Sequence, residues 1–157
     1  MIRPEYSQFK LDRHQAASPC LMRQWREQEF AQLRRTFERT GGLVCGDELA
    51  GKLGERLQQQ PVSRVARWIV SHRVLSFAWR SRILLPVFQF DEVDLTPLPS
   101  VSAAVAELAS TLGNWEMALW FIEPNQLLDE AAPMDALKID ATSVLSAARA
   151  ERYFIRG

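Results

Sequence analysis

Residues 61–90 read PVSRVARWIVSHRVLSFAWRSRILLPVFQF, and the periodicity changes once within them. Val62, Val65, Trp68 and Ile69 fall on one helical face behind Pro61, a residue suited to a first helical turn. Ser63, Arg64, Arg67 and His72 are then left on a basic, polar face. From Val74 onward the chain turns to β-branched and aromatic residues in two runs, Val74 to Trp79 and Arg82 to Phe90, parted by Arg80 and Ser81. The runs predict a hairpin carrying Arg80 and Arg82 at its tip, with Pro86 at an edge or at a strand end.

Immediately upstream, Asp47 precedes Leu49, Ala50, Leu53 and Leu57, the pattern of a capped amphipathic helix. Two helices followed by a hairpin are the layout of a winged helix-turn-helix. In that layout the second helix fits the major groove of duplex DNA while hairpin arginines reach phosphates. The candidate DNA-binding residues are therefore Ser63, Arg64, Arg67, His72, Arg80 and Arg82. The separation from Gly54 to Pro61 is longer than the usual three- or four-residue turn. The same residues also suit a small α+β domain whose arginines only keep it solvated. Further upstream, residues 1–17 are a polar arm. Ser18 and Pro19 open a helix on which Met22, Trp25, Phe30, Leu33 and Phe37 form one stripe, ended by Gly41 and Gly42.

Downstream, Asp91 to Ser100 is acidic and then proline-bearing, and a boundary is expected there. Val101, Ala104, Val105, Leu108 and Leu112 make a helical stripe that Gly113 stops. Asn114 is expected to cap the next helix, which runs to Pro124, and Thr142 or Ser143 to open a last one ending in Tyr153 and Phe154. The expected fold is mainly α: an N-terminal arm and amphipathic helix (1–42), a winged helix-turn-helix-like region with a β-hairpin (43–90) and a small C-terminal helical bundle (91–157).

The formal net charge of zero is a cancellation. Residues 1–84 hold 15 Lys and Arg against 8 Asp and Glu, whereas residues 85–157 hold 4 against 11. A basic first half can concentrate a polyanion that the acidic second half repels. With 47% hydrophobic and 24% charged residues the chain has the composition of a globular protein. No apolar run is long enough to span a membrane, no signal core opens the chain, and a cytoplasmic location is expected. Cys20, Cys45, His14 and His72 are too scattered for a metal site, and no cofactor is expected. No nucleophile-and-base pattern or phosphate-cradling glycine loop points to an enzyme, and Asp91, Glu92 and Asp94 read as linker charge.

The helix ending in Trp120-Phe121-Ile122-Glu123-Pro124-Asn125, then Leu128, then Pro133-Met134-Asp135-Ala136-Leu137, then a closing helix with Val144, resembles the toxin-binding domain of Xre/MbcA/ParS antitoxins. The resemblance covers about residues 98–157. Asp129 and Glu130 stand where the family commonly has glycine, and residues Asp140 to Thr142 lack another. The resemblance implies a bacterial antitoxin that represses its own operon and blocks a toxin, commonly a RES-domain enzyme acting on NAD. It carries toxin binding to Arg149, Arg152, Tyr153, Phe154, Arg156 and Gly157. From the residues alone, Tyr153 and Phe154 pack on the bundle equally well, and the arginines suit a helix C-terminus. A homodimer is expected, since repressors read symmetric half-sites. The competing expectation is a protein-interaction module that binds neither operator nor toxin.

Overall fold

The computed structural model describes residues 18–56 and 61–156. They form seven α-helices, two single 3₁₀ turns and one three-stranded antiparallel sheet. In chain order these are α1 (Pro19–Glu38), β1 (Leu43–Cys45), α2 (Gly46–Arg56), α3 (Pro61–Val70), β2 (Phe77–Trp79) and β3 (Arg82–Pro86). After them come α4 (Pro99–Leu108), α5 (Asn114–Ile122), α6 (Pro133–Ala136) and α7 (Ala141–Arg156). The mainly helical class and the hairpin are as the sequence indicates. The polar arm at residues 1–17, the glutamines at 58–60 and Gly157 lie outside the described residues.

α1 starts where the sequence says. The Ser18 hydroxyl accepts from the Leu21 amide, and Pro19 occupies the first turn. Its end is set by glycine: the Gly42 amide reaches back to the Phe37 carbonyl while Gly41 takes φ +104. A Cβ on Gly41 would lie 2.8 Å from Val87 Cγ1, so both the backbone angle and the space demand glycine.

The sheet has the order β1-β3-β2. β1 is an element the sequence reading lacks, because three residues are too few to show alternation. It pairs with β3 in the register Leu43↔Pro86, Val44↔Leu85 and Cys45↔Leu84, and β2 pairs through Phe77↔Leu84 and Trp79↔Arg82. Pleating then sorts the side chains by face. Val44 and Leu85 face a small core with Leu49, Leu53, Val65, Trp68 and Phe90. Leu43, Phe77, Trp79 and Leu84 face a larger core that takes Leu33 and Phe37 from α1 and Val101, Leu108, Phe121, Met134 and Val144 from the C-terminal helices.

That larger core crosses the acidic stretch at 91–100. The stretch is itself a hydrogen-bonded turn. Asp91 accepts from the amides of Val93 and Asp94, and Asp94 from the amide and hydroxyl of Thr96. The Thr96 hydroxyl, followed by its amide, holds the Asp94 carboxyl below the usual carboxylate range.

The strands are shorter than the apolar runs. Leu75, in the first run, bonds to a side chain instead of a strand: its amide donates to Gln89 Oε1 at 2.6 Å, and Gln89 Nε2 donates to its carbonyl at 2.8 Å. Gln89 Nε2 also donates to the Pro86 carbonyl at 2.9 Å, and Gln89 is 1% exposed.

Three helix starts differ from expectation. α2 begins at Gly46, so Asp47 lies in its first turn, where a carboxylate suits the helix dipole, and does not cap it. Gly113, not Asn114, is the N-cap of α5, and Asn114 is its first helical residue. α7 begins at Ala141, and the cap is Asp140, which accepts from the Ser143 amide and hydroxyl. Those bonds, the hydroxyl first, lower the Asp140 pKa. The carboxylate takes the cap because it lies one residue before the helix and accepts from its third residue, the geometry of an N-cap.

Asp129 and Glu130 occupy the left-handed region, at φ +53 and +62. Glycine adopts that conformation without Cβ strain, so Asp129→Gly is expected to raise stability by about 1 kcal/mol. Urea unfolding at neutral pH will read this as a higher midpoint at unchanged slope.

Candidate functional site

α3 has two sides. Val65 and Trp68 are buried in the smaller core, whereas Arg67 and Val70 are exposed and Arg64 is half-exposed. The helix ends on His72, which sits at φ +52 while the Arg73 amide bonds back to the Trp68 carbonyl. That is a C-terminal cap in which histidine replaces the usual glycine, and it leaves His72 and Arg73 exposed beside Arg67. Arg73 belongs to this basic run although the sequence reading omits it; its position next to the expected helix end was the available signal. Ser63 lies on the α3 backbone, and its side chain lies outside the described residues.

The hairpin arginines are placed differently from a free wing. Arg80 adopts φ +55 in the turn and pairs with Glu27 of α1 at 3.6 Å. Beneath it, Trp79 stacks on Phe30 of α1 with ring centroids 4.0 Å apart, and its other side meets Trp115 at 5.7 Å. Trp115 in turn donates from Nε1 to Glu29 at 2.8 Å and lies under the Arg26 guanidinium. The tip is thus tied to α1 by aromatic and ionic contacts. Arg82 is exposed and stands across from Trp79 on the next strand.

At the other end, Tyr153 is 77% and Phe154 54% exposed, followed by Ile155 at 39%. The expectation that the aromatic pair packs on the bundle is corrected here: the two rings meet each other edge-on and face outward. They follow the turn of α7 that carries the buried Ala147 and Ala148, where the helix runs past the core it covers. Arg149 and Arg152 both pair with Glu107 of α4, whose side chain is only 18% exposed. Glu107 was not legible as their partner, because it lies 42 residues from Arg149 in sequence. The Arg156 side chain and Gly157 lie outside the described residues.

Among the described residues, no group of three His, Cys, Asp or Glu could hold a metal ion, and no helix is long and apolar enough to cross a membrane. The carboxylates of Asp91 and Asp94 are occupied by their own turn. Comparison with models of protein families, with curated proteins and with solved structures returns no match to this chain.

Proposed function

We propose that the protein is an antitoxin-like transcriptional regulator that grips duplex DNA through α3 and a partner protein through the exposed end of α7. The observation that carries the DNA half is the order helix, strand, helix, helix, strand, strand from α1 to β3, with β1 paired to β3 and a basic outer side on α3. This is the element order of a winged helix, and it supports the major-groove role of α3 inferred from the sequence. Arg67, His72 and Arg73 supply exposed donors, with Arg64 at the edge of the same side. The protein-binding half is supported by Tyr153, Phe154 and Ile155, large apolar side chains left uncovered together, which commonly marks an interaction site. By the resemblance, the partner is a toxin of the RES type. Arg149 and Arg152 would have to leave Glu107 to serve it, so the aromatic end is the anchor.

Phosphate contacts release counterions, so binding to duplex DNA from the upstream region of the gene should fall steeply with salt. Arg64→Ala with Arg67→Ala is expected to make the slope of log affinity against log salt shallower by about 2, measured by fluorescence anisotropy. An unchanged slope in a folded variant removes α3 from the DNA surface. The second reading, a protein-interaction module without DNA binding, is favoured by one observation. The hairpin tip is fastened to α1 through Arg80–Glu27 and Trp79–Phe30 and offers no free wing. It predicts no DNA affinity even at low salt and a complex lost in Phe154→Ala.

A further inference from the structure

A groove of about 400 Å³ runs between α1 and the face of the sheet that α1 crosses. Its lining comes from alternate positions of the three strands, Leu43 on β1, Leu84 and Arg82 on β3 and Trp79 on β2, opposite Phe30, Arg34 and Glu38 of α1. The groove is open to solvent along one side, so an occupant would lie along it and stay partly exposed.

The floor is apolar and the rim is charged. Leu43, Leu84, Phe30 and Trp79 pack against the larger core but stay only part-buried. Trp79, which stacks on Phe30 and lies against Trp115, is part of the groove lining. On the helix side of the rim, Arg34 pairs with Glu38 at 3.9 Å. On the strand side stands Arg82, for which no ion pair is seen among the described residues. The rim charges therefore sum to one positive charge, located beside an apolar floor.

We propose that this groove binds a small monocarboxylate with an apolar body, its carboxylate on Arg82 and its hydrocarbon part on Leu43, Leu84 and the edges of Phe30 and Trp79. A guanidinium can take a carboxylate through two parallel hydrogen bonds, which gives orientation as well as attraction. A single net charge matches a monoanion, and the lining on the sheet side other than Arg82 is apolar, which suits a hydrocarbon body. The site is separate from α3 and from the end of α7, but Arg82 is also one of the hairpin arginines expected at DNA phosphates, so binding is measured without DNA.

The test titrates the full chain, without DNA, with 4-phenylbutyrate and with its uncharged amide, following the indole N–H signal of Trp79 by NMR. That signal is assigned by its loss in Trp79→Phe. The expected dissociation constant is about 1 mM for an acid of this size. The amide, and the acid with Arg82→Gln, should each bind about tenfold more weakly, while Arg82→Lys recovers part of the loss. Lys138→Gln, distant in sequence and exposed, should bind as the parent does. Equal binding of acid and amide, an unchanged affinity in Arg82→Gln, or signal changes at the other indoles without Trp79 overturns the proposal.

Discussion

Replacing Gln89 with leucine is expected to cost about 3–9 kcal/mol, comparable to the whole stability of an ordinary domain. The side chain is nearly the same size, so the loss does not come from packing. It comes from three backbone groups. The Leu75 amide, the Leu75 carbonyl and the Pro86 carbonyl all find their partner in the Gln89 amide, at 2.6, 2.8 and 2.9 Å. Leucine satisfies none of them, and each buried group left without a partner costs about 1–3 kcal/mol. Gln89→Glu retains the acceptor for the Leu75 amide but replaces the donor and brings in a buried charge, so it should be at least as damaging near neutral pH. Thermal and urea unfolding by circular dichroism check both. A Gln89→Leu variant within 1 kcal/mol of the parent would show that water reaches these groups.

Truncating Phe37 to alanine should cost about 3–5 kcal/mol, the usual penalty for emptying a fully buried aromatic site. Phe37 is 0% exposed and stacks near Phe88, which in turn meets Phe121 of α5. α1 therefore reaches the C-terminal helices through a continuous aromatic contact. The consequence is a statement about cooperativity. Trp68 lies in the smaller core and Trp120 in the larger one, so fluorescence of single-tryptophan variants can follow each core separately. With Phe37→Ala, the transition at Trp120 should move to lower denaturant although the substitution lies more than 80 residues away in the chain. A shift confined to the N-terminal residues would mean that the C-terminal helices hold their own core, and the larger core would then be two.

Much of the local structure was written in the chain. Ser18-Pro19 and Gly41-Gly42 bracket α1, Pro61 opens α3, and the change from a 3.6-residue to a 2-residue period at Val74 marks the hairpin, because capping, proline and periodicity act within a few residues. The candidate binding surface was half legible in the same way. The basic side of α3 follows from periodicity, and its exposure agrees. Asp140 as a cap was missed in favour of the hydroxyls that follow it, although an Asp just before an apolar period is as good a signal.

The partners across the fold were not legible. β1 is visible only as a strand once β3 lies beside it, since three residues carry no period. Arg80 reads as a free cation until Glu27 is brought 3.6 Å from it, and Arg149 and Arg152 read likewise until α4 presents Glu107. Sequence alone determined that this chain makes a basic helical face, a hairpin and a set of C-terminal helices. Only the tertiary structure decided that α1 and the sheet share a core with those helices, which arginines stay free and which aromatics stay bare. The physical reason is range: helix caps and periods are decided by neighbours, whereas the neutralisation of a charge or the covering of a ring depends on residues that folding alone brings within a few ångströms.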